Sequence, residues 1–135
     1  MNIVVTGDVD AGKSTLIGRI LYERDPVARR VFEEMRARAA LEGKVFPFAF
    51  LLDSFQEERR DELTMDTTQV SCRNRRGDPF HFIDVPGHRH LLKHMLSGSS
   101  YAHHALVVID VHASVVEQTR QHLFILSLLG IREIV

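Results

Sequence analysis

The run Gly7-Asp8-Val9-Asp10-Ala11-Gly12-Lys13-Ser14 narrows what this chain can become more than any other stretch, because of what flanks it. Asn2-Ile3-Val4-Val5-Thr6 is short, apolar and β-branched, the pattern of a buried strand. From Ser14 to Leu21, the residues Leu16, Ile17, Ile20 and Leu21 fall on one helical face. A strand, a glycine loop and a helix in that order satisfy G-x-x-x-x-G-K-[ST], a loop that cradles phosphates. Gly7 and Gly12 let the backbone curl without Cβ clashes, so that successive N–H groups converge on an anion. The helix that follows presents its positive dipole end to the same place. Lys13 offers a cation to the β- and γ-phosphates, and Ser14 offers a hydroxyl to Mg²⁺. The nucleotide-binding set read here is Gly7, Asp8, Val9, Asp10, Ala11, Gly12, Lys13, Ser14 and Thr15, with Thr15 near the α-phosphate.

The bulk properties limit the alternatives. A chain of 135 residues with 44% apolar content is enough for one modest globular domain, here taken as residues 1–135. A formal net charge of −1 gives no spread basic surface for nucleic acid, so no direct DNA binding is expected. Cys72 is the single cysteine, which excludes a disulfide framework and makes a reducing, cytoplasmic setting the default. The strand and glycine loop begin at once, so no signal peptide is expected. No apolar run approaches the roughly 20 residues that cross a bilayer.

Along the chain, strands and helices alternate. Strand one covers about 2–6 and helix one about 13–23. Pro26 suits a first helical turn. Val27, Val31, Met35 and Ala39 then fall four apart on a charged helix ending near Gly43, read as packing on the domain's own flank. Phe46 to Leu52 is an apolar plug holding Pro47, and Asp53 to Glu62 reads as a loop with some helix. Strands are expected at Thr67–Arg73 and Phe80–Asp84, with a turn at Arg76-Gly77-Asp78-Pro79. A helix is expected at 89–98, a buried strand at His104–Asp110, an amphipathic helix at Val116–Leu129 stopped by Gly130, and a strand from Ile131 to Val135. The alternation predicts an α/β fold with a doubly wound, mostly parallel sheet, whose ligands sit beyond the carboxyl ends of the strands.

Asp84-Val85-Pro86-Gly87-His88 follows one such strand. An acid there can hold a water on Mg²⁺, and Gly87 lets an N–H approach a γ-phosphate. Together with the glycine loop, this D-x-P-G-H resembles the second nucleotide signature of GTPases of the translation-factor class. That resemblance implies a P-loop G domain that binds and hydrolyses GTP as a switch, with His88 orienting the attacking water. The first motif of that class commonly reads G-H-V-D-H-G-K-S-T, against G-D-V-D-A-G-K-S-T here. Its switch I commonly reads E-R-x-x-G-I-T-I-D, against E-R-R-D-E-L-T-M-D at Glu58–Asp66. The resemblance therefore makes Thr64 the second Mg²⁺ ligand beside Ser14, with Asp84 acting through water, and treats residues about 26–62 as a helical insertion leading into switch I. Lys13, Thr64 and His88 form its catalytic set.

The stretch from Phe48 to Arg59 resembles elongation factor 1-alpha and the large GTPase subunit of sulfate adenylyltransferase. Asp66-Thr67-Thr68-Gln69, Glu117 to His122 and Leu126 to Ile131 favour the sulfate adenylyltransferase branch, with translation elongation factors as the alternative. The first implies the small catalytic subunit as partner, the second the ribosome. No arginine finger is apparent in cis, so turnover is expected to be slow and partner-activated. Asp8, Ala11, Glu62 and Ser114 depart from the class pattern, which leaves a nucleotide-binding module without useful turnover as a further reading. The guanine-recognition motif N-K-x-D does not occur before Val135, so a C-terminally incomplete G domain is expected and guanine choice is implied only by the resemblance. His90 and His94 stand four apart but lack a third ligand, and His103, His104 and His112 read as structural. Arg73, Arg75 and Arg76 read as a solvated hairpin tip.

Overall fold

The computed structural model describes residues 1–59, 68–73, 76–84, 102–112 and 117–135. They divide into two compact units: Met1–Lys13 with Thr67–Ser71 and Pro79–Val135, and Ser14–Asp66 with Cys72–Asp78.

The first unit carries the sheet. Its strands are β1 (Asn2–Gly7), β2 (Thr68–Arg73), β3 (Pro79–Asp84), β4 (His104–Val108) and β5 (Glu133–Ile134), in the order β2-β3-β1-β4-β5. β1 lies parallel to β3 and to β4, and β4 lies parallel to β5. The expected α/β class with a mostly parallel sheet is the one observed. β1 is central, and its Val4, Val5 and Thr6 are all buried, as an unbroken apolar run in a parallel sheet requires. A helix spanning Glu117–Leu128 packs against β1. Its Leu126 joins Val4, Ile83, Ala102, Ala105 and Ile131 in one apolar cluster. Gly130 ends it with φ +73°, while Ile131 N–H reaches back to Leu126 O at 3.1 Å. That is the left-handed cap expected of a glycine after the last helical turn.

The second unit is helical: α1 (Lys13–Arg24), α2 (Pro26–Leu41) and α3 (Phe48–Arg59), so that the Glu117–Leu128 helix is α4. Asp25 separates α1 from α2 and caps the latter, its Oδ1 accepting from Val27 N–H at 2.8 Å and Ala28 N–H at 3.3 Å. Arg29 turns back to donate to the Tyr22 and Glu23 carbonyls, both at 3.1 Å, which satisfies the end of α1. Phe32 and Phe48 stack at 4.4 Å, with Tyr22 edge-on to each. Gly18 is needed here for space, because a Cβ would land on the Phe48 carbonyl oxygen. Asp25→Ala removes the acceptor for two otherwise unsatisfied amides and should lower stability by about 1 kcal/mol in a denaturant titration.

Several boundaries differ from those read in the sequence. Asp53–Arg59, read as a loop with some helix, continues the helix that begins at Phe48. Pro47 sits just before that helix, where its missing N–H is harmless, and its carbonyl accepts from Phe50 N–H. The buried line of α2 runs through Ala28 and Phe32, with Val31, Met35 and Ala39 half-buried and Val27 exposed. The aromatic cluster turns the helix one residue away from the expected stripe. β4 ends at Val108, two residues short of Asp110, because the Asp110 carboxylate accepts from His112 N–H at 2.8 Å and forms a local turn. β5 holds only Glu133 and Ile134. The expected helix at 89–98 lies outside the described residues.

Candidate functional site

β1 delivers its last residue, Gly7, opposite Val108 of β4. The chain then turns through Asp8–Gly12 and enters α1 at Lys13. Gly7 has φ +152°, and a Cβ on it would strike the Val108 carbonyl oxygen. Asp10 and Gly12 also take positive φ, +62° and +94°. Ala11 N–H donates to Asp8 O at 3.2 Å, closing the loop on itself. Three residues of positive φ within six positions re-aim the backbone amides, which is how a nest for an anion is built. The Lys13 ammonium donates to Gly7 O at 3.0 Å and to Asp8 O at 2.6 Å. Two main-chain acceptors therefore hold this cation over the loop rather than leaving it to sweep through solvent.

Asp84 closes β3, and the parallel register sets it beside Val5, two residues before the loop. β1, β3 and β4 thus bring Gly7, Asp84 and Val108 to one end of the sheet, the carboxyl end where α/β folds bind ligands. Lys13 and the loop backbone supply positive potential there, and Asp84 supplies a hard oxygen donor. Hard oxygen donors and few protein ligands suit Mg²⁺, which keeps waters and binds through substrate phosphates. Among the described residues, no group of three or more His, Cys, Asp and Glu could hold a metal by protein ligands alone. Ser14 and Thr15 occupy the first turn of α1. Thr64, Gly87 and His88, and with them His90 and His94, lie outside the described residues.

Among the remaining candidates, His104, Arg73 and Cys72 take structural roles. His104 Nε2 is 2.8 Å from a Glu133 carboxylate oxygen and ties β4 to β5. His103 and His112 are exposed. Arg73 donates to Gly77 O at 2.9 Å, consistent with a hairpin tip. Cys72 is buried, and burial with the nearby Asp25 charge pushes its thiol up to about 11, so it remains an unreactive core thiol. No helix among the described residues is long and apolar enough to cross a membrane.

Three features of the loop escaped the sequence reading. Asp10 adopts a left-handed backbone, for which aspartate at a tight turn is the available signal. Val108 acts through its carbonyl as an abutment for Gly7, which no side-chain pattern reveals. Asp8 holds its carboxylate Oδ1 sealed from solvent, with no hydrogen-bond partner among the described residues.

Comparison with known proteins agrees with this geometry. Residues 1–135 match the family described as the Elongation factor Tu GTP binding domain. Elongation factor 1-alpha of Archaeoglobus fulgidus is 41% identical over 138 residues, covering 100% of this chain and 32% of that protein. Elongation factor 1-alpha of Thermoplasma acidophilum is likewise 41% identical, over 140 residues with the same coverage. The chain thus spans about a third of the length of these relatives. Among solved structures, a bacterial selenocysteine-specific elongation factor, EF-Sec, has a TM-score of 0.56 at 23% identity, covering 99% of this chain and 19% of that one. The Ski7 GTPase-like domain of S. cerevisiae, bound to GTP, has a TM-score of 0.52 at 24% identity, covering 81% of this chain and 25% of that one. These two show the shared fold. The relatives carry the name elongation factor 1-alpha and so favour the translation branch over the sulfate adenylyltransferase branch suggested by the short motifs at 66–69, 117–122 and 126–131. Those motifs lie partly on strand and helix positions that any such sheet needs, and therefore discriminate poorly. The strand, loop and helix geometry and the full-length match lead to one assignment: this chain belongs to the Elongation factor Tu GTP binding domain family.

Proposed function

We propose that this chain is the nucleotide-binding part of a translation elongation GTPase that works as a conformational switch. The observation that carries the reading is the loop from Gly7 to Lys13, its cation fixed on two carbonyls and its first glycine seated on β4, beside the strand that ends in Asp84. In this reading the loop amides and Lys13 hold the phosphates, and Thr15 lies near the α-phosphate. Ser14 and Thr64 ligate Mg²⁺, and Asp84 holds it through water. When bound, that ion would supply charge neutralisation at the phosphates. Gly87 senses the γ-phosphate and His88 positions the water. Catalysis is positioning and charge stabilisation, with turnover slow until a partner, the ribosome, engages. The setting is cytoplasmic.

The test is nucleotide uptake and single-turnover hydrolysis by the full polypeptide with magnesium, with and without ribosomes. GTP should bind in preference to ATP, and hydrolysis should accelerate on ribosomes and fall about 100-fold or more in His88→Ala. Uptake without hydrolysis under either condition would make the chain a binding module. Equal uptake of ATP would remove the guanine preference.

A further inference from the structure

Asp8 places an acid inside a loop built to attract anions. Its main-chain carbonyl receives the Lys13 ammonium at 2.6 Å, so the residue sits against the loop's own cation. Its carboxylate Oδ1 is sealed from solvent and meets no hydrogen-bond donor among the described residues, although the residue as a whole is half-buried. Asp10, two residues later in the same loop, is exposed. The two acids therefore act differently. Water and salt disperse the charge of Asp10, whereas the sealed side of Asp8 acts through a medium of lower dielectric, where the same charge reaches further.

Resting on the nucleotide reading above, we propose that Asp8 is an affinity-setting residue that weakens the hold of this loop on nucleotide and speeds its release. The carboxylate subtracts from the attraction that Lys13 and the loop amides exert on phosphate. The opposition grows with the charge of the ligand, so GTP is weakened more than GDP. Such a loop exchanges its nucleotide quickly, and the switch reloads without a long-lived product complex. The Asp8 side chain neither bonds the phosphates nor takes part in hydrolysis: its effect is electrostatic and specific to its charge, while the Asp8 main chain stays part of the loop.

Fluorescent GTP and GDP binding by the full polypeptide, compared among wild type, Asp8→Asn and Asp8→Glu, tests this directly. Asp8→Asn keeps the size and removes the charge, and should lower the Kd for GTP about tenfold with a matching fall in dissociation rate. The gain for GDP should be smaller. Asp8→Glu keeps the charge and should show none of the gain in affinity seen in Asp8→Asn. Circular dichroism confirms that each variant is folded. An Asp8→Asn affinity within twofold of wild type would overturn the proposal, as would equal shifts in Asp8→Asn and Asp8→Glu, which would make the residue geometric. A wild type that takes up neither nucleotide would instead remove the underlying nucleotide reading, and the proposal with it.

Discussion

Lys13→Ala should weaken GTP binding by at least about a hundredfold, close to 3 kcal/mol, measured by calorimetry with magnesium. The ammonium is a charge-assisted donor to a polyanion, and such bonds are worth roughly twice a neutral one. It is also positioned before any ligand contact is considered: the Gly7 and Asp8 carbonyls accept from it at 3.0 and 2.6 Å. Fixing a flexible side chain in advance removes much of the rotamer entropy that binding would otherwise have to overcome. Truncation removes the charge and leaves two carbonyls in the loop without that donor, so a small fall in melting temperature should accompany the loss of binding. Lys13→Arg should not rescue binding, because a planar guanidinium fork does not reproduce a compact ammonium seated on two convergent carbonyls. Unchanged affinity in Lys13→Ala would remove the loop from the nucleotide site altogether.

What the sequence made legible here follows the reach of local rules. The path from Val5 through Gly7 and Gly12 to α1 could be read because each step depends on neighbours in sequence: β-branched residues, then glycines, then a 3.6-residue apolar period. Gly130 as a helix stop and Pro26 as a helix start were readable for the same reason, and each sits where its backbone preference places it. The extension of α3 to Arg59 was readable only as some helix within a loop, because the charged residues from Asp53 onward look solvated until Leu51 and Leu52 are seen buried upstream and holding the helix in place. The rotation of α2 by one residue was hidden likewise: Phe32 lies outside the four-residue stripe, yet its stack on Phe48 decides which face turns inward. At the site, residue types named the chemistry, but the sealed Asp8 oxygen and the Val108 carbonyl beneath Gly7 depend on partners about 100 positions away or on packing. No one-dimensional pattern carries that information.

Gly7→Ala should show how tightly the sheet and the loop are joined. Gly7 is the last residue of β1 and the register partner of Val108 in β4. Its φ of +152° is one that side-chain-bearing residues rarely adopt. Beyond that strain, the added Cβ meets the Val108 carbonyl oxygen, with Val108 C at 3.1 Å and N at 3.3 Å. All three are backbone atoms of a hydrogen-bonded strand, so no side chain can swing away to relieve the contact. Either β1 and β4 part at their carboxyl ends or the loop shifts outward. The expected loss of stability is about 2–4 kcal/mol, a fall in melting temperature of roughly 10 °C, seen by calorimetry. Gly12→Ala is the informative comparison. Gly12 has φ +94°, and among the described residues nothing beyond its chain neighbours lies within 4 Å of an added Cβ. It suffers backbone strain alone, about 1 kcal/mol, and should melt well above Gly7→Ala. If the two variants melt together, the clash with Val108 is not the governing term. If Gly7→Ala also loses at least tenfold in GTP affinity while still folded, the strand end and the phosphate loop act as one rigid unit, with the β4 backbone as the floor on which the anion nest is formed.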